Sequence, residues 1–476
     1  ARERGASRVQ PHGVTVRRIV VIGGGISGLC AAWAARRAAA HLDGGLEVVV
    51  LERESQVGGK ARTLASDGWL VEAGPSGFLG GRAELDRIIR DVGLDDERVE
   101  ANGASAHRFI MVGGRMRGVG RGPVALVRSG LLSARGALRL MGELLVPRRT
   151  DGADESVWDF AHRRMGRQVA DGLVRPMALG IYAGDARRLS VEATFPRMTA
   201  LEREHGSLIR GLIARRGNGT SGALTSFRRG MQSLPKAIAE RGGCVVRTGE
   251  CVHALTHGGD RWLVHASRSS APIPADAVIL AAEPFAAAPL LRPYDAGAAD
   301  ALAAIACPPV SIVGLGYRRA DAARLPNGFG VLIARGEGLR ALGNLWESHL
   351  YPARSPDGTV LVRALYGGQV DPEAGALTDA ELIALARSEA ERMYGITAAP
   401  VHARAHRWAR AIPQYDLGHL ARVARIERGV ESLRGLFITG FGLRAIGFSD
   451  AAVQAVRVGE RVAAWLHSGA AAPVPV

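Results

Sequence analysis

The sequence predicts an α/β protein that opens with a strand–helix–strand unit built to take a dinucleotide. Three observations carry that prediction. The short apolar run RRIVVI at 17–22 ends directly in the glycine turn GGGISG at 23–28. A helical stretch over about 26–40 follows, and a second apolar strand, EVVVL, occupies 47–51. The whole spans about 36 residues, the length such a unit needs.

The turn has the GxGxxG spacing. Gly23 makes the tight bend, Gly25 lets the backbone approach a pyrophosphate, and Gly28 lets helix and strand pack closely. The helix N-terminus, with Ile26 and Ser27, offers free N–H groups and partial positive charge to phosphate. Glu52 closes the second strand, where a carboxylate accepts ribose hydroxyls, and Arg53 follows it. Next comes VGGKART at 57–63. Its Gly58, Gly59, Lys60, Arg62 and Thr63 resemble the second FAD signature of glutathione-reductase and amine-oxidase flavoproteins, with Lys60 where Arg is commoner. A late strand–loop–helix at 436–466 carries GFGLRA at 440–445. Too little chain follows it for a second nucleotide site, so it completes the first, and one dinucleotide is expected.

The remaining chain reads as a helix at 82–93, helical pattern over 120–216, and a Gly-rich loop at 215–221. Strands are expected at 244–265, 276–281, 308–316 and 359–366, and a helix at 377–393. A last strand lies at 436–439, and a last helix at 449–466 has Ser449 as its N-cap.

Composition sets limits. The 476 residues are 47% apolar and 22% charged, as in a globular protein of two or three units. No apolar run approaches the ~20 residues of a spanning helix, and the polar first 16 residues lack a signal peptide. The net charge of +15 is almost all Arg, scattered rather than clustered with aromatics, which argues against a nucleic-acid groove. The four cysteines form no CxxC pair, and no metal-spaced Cys/His set occurs.

Several segments go beyond generic flavin motifs. DGWLVEAGPSGFL at 67–79 contains Gly74, Pro75 and Ser76. GIYAGD at 180–185 is followed by LS at 189–190, TFP at 194–196 and EHGSL at 204–208. AIPQY at 411–415 precedes Gly418 and His419. Together these resemble the protoporphyrinogen oxidase family of FAD enzymes, from residue 17 to about 465. The last loop departs from the family's usual form: it has Phe441 after Gly440, keeps Gly447 and Asp450, and has Ala451 in place of Cys.

The resemblance implies a Rossmann-type FAD domain of the p-hydroxybenzoate-hydroxylase and amine-oxidase kind, a mixed-sheet substrate domain and a helical membrane-associating segment. The expected partition is a tail at 1–16 and FAD-binding parts at 17–99, 217–290 and 429–470. The helical segment is 100–216 and the substrate domain 291–428. One non-covalent FAD is implied, held by the residues named above with Gly440, Gly447 and Asp450, and no metal. Arg108, Gly180, Tyr182, Phe329 and Trp346 match the family's substrate contacts, Arg108 pairing a propionate. The implied reaction is six-electron oxidation of protoporphyrinogen IX with hydrogen peroxide as by-product. Formation of coproporphyrin from coproporphyrinogen III is the alternative; a flavin amine or carotenoid oxidase and a non-catalytic flavoprotein stand further off. The candidate partners are the tetrapyrrole, dioxygen as electron acceptor, a membrane surface, a downstream ferrochelatase and a second copy of the chain. A cytoplasmic protein, peripheral on the membrane's cytoplasmic face, is expected.

Overall fold

The computed structural model describes residues 16–40, 45–120, 122–214, 222–258, 260–445 and 447–468. The polar tail before residue 16, the Gly-rich loop at 215–221, Arg121 and Ile446 lie outside them.

The apolar runs form a five-stranded, all-parallel sheet in the order Val245–Thr248, Leu46–Glu52, Arg17–Ile22, Ala277–Leu280, Leu436–Ile438. Alternation explains why these runs are continuously apolar. Ile19, Val21, Val48 and Val50 enter the core on one face; Val20, Ile22, Val49 and Leu51 enter the core on the other. Each such side chain contributes about 1.5–3 kcal/mol on burial. The helices Ile26–Ala38 and Phe448–His467 cover the first face, so close that a Cβ on Gly459 would sit 2.3 Å from the Ala31 carbonyl oxygen. A three-stranded antiparallel sheet (252–275) and the helices Pro284–Leu291, Ala296–Ala303 and His419–Glu431 cover the second. In register, Ile22 lies beside Leu51 and Leu280, so the strands' carboxyl ends finish level and open a crevice there.

A second, seven-stranded sheet is mixed. Its order is His402–Trp408, Val310–Arg318, Thr359–Gly367, Gly343–Trp346, Gly330–Ile333, Arg108–Val112, Arg115–Gly118. Only the pairing of Gly330–Ile333 with Arg108–Val112 is parallel. The segment 100–216, expected as a helical unit with its helical pattern from about 120, is corrected at its start, where it opens with the strands Arg108–Val112 and Arg115–Gly118. Alternation over only four or five residues is too short to show against the helical pattern that follows. Helices dominate from Pro123 to Ala214 and include a π-helical turn, Ala170–Val174.

Ser449 is also corrected. The last helix begins at Phe448 with Gly447 as its cap residue, and the Ser449 hydroxyl donates to the Leu79 carbonyl at 2.8 Å. No helix among the described residues is long and apolar enough to cross a membrane.

Candidate active site

One cavity of about 1190 Å³ runs from the glycine turn, over the carboxyl ends of the parallel strands, to the seven-stranded sheet and the helical unit. At its first end the Gly24 N–H donates to Glu52 Oε2 at 2.7 Å, and the Glu54 N–H to Oε1 at 2.8 Å. Glu52 thereby locks the turn while lining the cavity; its burial raises the carboxyl above the usual range, against those two N–H groups. Among the described residues, the helix Ile26–Ala38 has no side-chain cap and the buried Ser27 hydroxyl has no partner. An uncapped helix end and an orphaned hydroxyl facing a cavity fit a pyrophosphate.

The glycines separate by role. A Cβ on Gly28 would lie 1.9 Å from the Gly23 carbonyl oxygen, so the fold itself needs glycine there. A Cβ on Gly25 would meet nothing closer than the Gly59 Cα at 4.0 Å, and its φ of −72° suits any residue. Its empty space is room for a ligand. Gly58, at φ +119°, bridges to Gly25 and brings the second signature alongside the first. Of its cations, Lys60 is spent: it pairs with Glu283 at 2.9 Å and lies 4.2 Å above the Trp408 ring. Arg62 lines the cavity with a buried Nε that has no partner and no ion pair among the described residues. Arg53 lines it too, 3.8 Å from Glu283.

Gly23, Gly25, Ile26, Ser27, Glu52, Arg53, Gly58, Gly59, Lys60, Arg62, Gly74, Pro75 and Ser76 form the cavity wall with Arg108, Gly180 and Phe329. Seven expected site residues are absent from the wall. Gly28 packs helix on strand, and Thr63 donates to Glu72 at 2.9 Å. Gly440 (φ +127°) and Gly447 shape the last loop, which sends Phe441 into the wall instead. Asp450 pairs with Arg82 at 2.7 Å. Tyr182 is core, its hydroxyl donating to the Thr194 carbonyl at 2.7 Å. Trp346 is 0% exposed and donates to the Tyr394 hydroxyl.

At the far end the register of Arg108 beside Gly330 brings its guanidinium over Phe329, 5.2 Å from the ring centre. No ion-pair partner for it exists among the described residues. Around it the wall is apolar, with Ile110, Val119, Leu126, Met177, Ile181 and Leu332.

Two of the long signatures clamp one another behind the cavity, to which they give Gly180, Ile181 and residues 411–413. Gln414 donates to the Tyr182 carbonyl at 2.8 Å, and the Ser190 N–H to that of Tyr415. His419 stacks on Tyr415 at 3.9 Å and donates Nε2–H to the Leu443 carbonyl at 2.7 Å, fixing the loop that carries Phe441. Burial pushes His419 and His406 down to about 4 and Glu72 up to about 7. The signs oppose. Depressed histidines contribute stability that is present above their unfolded value of 6.5 and lost as pH falls towards 4. The raised Glu72 contributes stability that is lost as pH rises through 7. The two histidines outweigh Glu72 below 6.5, so thermal melts should lose stability as pH falls from about 6.5 towards 4 and level off above about 7; a profile flat between pH 4 and 7 would contradict these burials.

Sequence reasoning missed Arg363, Tyr351 and Trp408, which all line the cavity. Arg363 had a legible signal, a lone charge inside the apolar strand TVLVRALYG.

The sequence profile for flavin containing amine oxidoreductases matches residues 26–464. The chain is 28% identical over 452 residues to "Coproporphyrinogen III oxidase" of Bacillus subtilis (strain 168), covering 91% of this chain and 95% of that one. It is 33% identical over 453 residues to "Protoporphyrinogen oxidase, chloroplastic" of Oryza sativa subsp. japonica, covering 88% and 83%. A solved structure of a protein from Exiguobacterium sp. 255-15 shares the fold, with TM-score 0.83, 23% identity and coverage of 94% and 99%.

Proposed function

Because the chain belongs to the flavin containing amine oxidoreductase family, we propose that this oxidoreductase converts a porphyrinogen to its porphyrin, with protoporphyrinogen IX as substrate and dioxygen as final acceptor. One porphyrinogen gives up six electrons and six protons to three dioxygen molecules, which become three hydrogen peroxides. The observation that carries the reading is one continuous cavity: a dinucleotide turn at one end, and at the other an apolar basin with the Arg108 guanidinium, which has no ion-pair partner among the described residues.

One non-covalent FAD, when bound, supplies the acceptor for the hydride that leaves a meso carbon. The N-terminus of Ile26–Ala38, Ser27 and Arg62 hold its phosphates, and Glu52 accepts from its ribose. Arg108, stacked on Phe329, anchors a propionate through a bidentate, charge-assisted pair. The apolar wall from the helical unit takes the macrocycle and keeps water out. Ala451 follows Asp450, so no thiol stands there to tether the cofactor. Acid precipitation should release all flavin into the supernatant; colour retained in the pellet would refute non-covalent binding.

A second reading, coproporphyrinogen III, is favoured by the Bacillus relative, which aligns over 95% of its length. Four propionates call for further cations near Arg108, where the wall is apolar, and this supports the dicarboxylate. Side-by-side turnover of the two porphyrinogens at equal concentration decides between them.

The helical unit is also proposed to rest on an anionic membrane surface. Leu145 is 85% and Leu138 75% exposed, with Val124, Met141, Leu212 and Ile213 exposed as well. This exposure is built in. Buried Glu143 accepts from Ser207, Leu208 and Ile209 and pairs with fully buried Arg164, pinning the Leu145 turn to the helix Leu208–Ala214. Arg128, Arg135 and Arg148 are exposed without partners among the described residues. Each contributes about 1 kcal/mol at an anionic surface. The protein should sediment with anionic vesicles at low salt and leave them at high salt; retention that only detergent reverses would contradict this.

A further inference from the structure

Four buried ionisable side chains lie beside the cavity where the nucleotide unit meets the seven-stranded sheet: Glu72, Glu347, Arg354 and Arg363. Glu347 and Arg363 pair at 2.8 Å, Glu72 and Arg354 at 3.2 Å. Of the four, Arg363 lines the cavity. Its NH1 donates to the carbonyls of Glu72 (2.7 Å) and Gly74 (2.6 Å), and its NH2 to the Ser76 hydroxyl (2.6 Å). Trp408 takes the Ala73 carbonyl at 2.6 Å, and the Ser226 hydroxyl takes that of Ser76 at 2.7 Å. Four carbonyls of the segment 72–76 are thus engaged by side chains from elsewhere in the chain.

A trans peptide points its N–H opposite its C=O. Capture of the Ala73 and Ser76 carbonyls therefore turns the N–H groups of Gly74 and Gly77 the other way. Neither N–H has a hydrogen-bond partner among the described residues, and residues 73–77 all line the cavity. Pro75 has no N–H to add. A cavity wall with unpaired N–H groups and a fixed guanidinium favours negative charge.

We propose that Arg363 is a positioning residue that sets this wall against the flavin ring, so that the wall stabilises the electron density the ring gains on reduction. The inference rests on a flavin occupying the cavity, and it fixes the sign of two substitutions. Arg363→Met removes the cation and frees the carbonyls, so the reduced flavin should be held less tightly than the oxidised form. Glu347→Gln leaves Arg363 uncompensated, so the reduced form should be held more tightly.

The experiment is spectroelectrochemical titration of purified holoprotein, wild type against Arg363→Met, Arg363→Lys and Glu347→Gln. The FAD dissociation constant of each oxidised form is measured alongside. A change of about tenfold in the ratio of reduced to oxidised affinity, roughly 30 mV for a two-electron couple, is expected. The potential should fall in Arg363→Met, fall less in Arg363→Lys, and rise in Glu347→Gln. A purely structural role would lower flavin content without opposed shifts, and either equal potentials or shifts of one sign overturn the inference. Should Arg363→Met fail to fold, the sign for Glu347→Gln and the partial effect of Arg363→Lys still decide it. Failure of the wild type to take up FAD would instead refute the flavin site itself.

Discussion

Gly25→Val is expected to give a folded protein that has lost its yellow colour. The protein has no packing use for glycine at this position. The backbone is already in an ordinary conformation, and the nearest heavy atom to a new Cβ is 4.0 Å away. A branched side chain there fills the space in which backbone approaches pyrophosphate. Flavin content should fall below about a tenth of wild type, a loss of at least about 1.4 kcal/mol in binding. The melting temperature should match that of wild-type apoprotein. Gly28→Ala is the control with the opposite cause: its methyl collides with the Gly23 carbonyl, so it should damage folding first. Yellow Gly25→Val protein with unchanged flavin would show that the phosphates lie elsewhere.

Arg108→Ala is expected to raise KM and leave kcat nearly unchanged. The guanidinium stands at the cavity wall, stacked on Phe329 and free of carboxylate partners among the described residues. A propionate pairs with it equally in the ground and transition states, which is uniform binding. Losing a charge-assisted pair worth about 1.5–3 kcal/mol lowers kcat/KM roughly 10- to 150-fold. Arg108→Lys should recover only part, because a point charge cannot replace the fork. Flavin content should stay normal. A substrate diester should barely distinguish mutant from wild type. Loss of kcat at constant KM would remove Arg108 from substrate binding.

The nucleotide half was legible in sequence because its chemistry is local. A turn, a helix end and a strand-terminal Glu52 lie within 30 residues of one another, and each has a backbone reason for its identity. The substrate half was not, because its geometry is made by register between distant strands. Arg108 and Phe329 meet only through the parallel pairing with Gly330–Ile333. Trp346 and Tyr182 illustrate the converse. Both belong to segments that flank the cavity, yet alternation sends Trp346 to the core side of its strand, and Tyr182 turns inward to Thr194. Of the family-like segments, 180–196 and 411–419 give Gly180, Ile181 and residues 411–413 to the cavity wall and clamp each other behind it, while 204–208 holds Glu143.

The most direct test of the account is aerobic turnover by the purified yellow protein, read as porphyrin fluorescence with hydrogen peroxide counted in parallel. The account predicts three peroxides per porphyrin formed, from protoporphyrinogen IX faster than from coproporphyrinogen III. Faster turnover of the tetracarboxylate would replace the substrate and keep the chemistry. A flavin-loaded protein that oxidises neither would contradict the account at its centre.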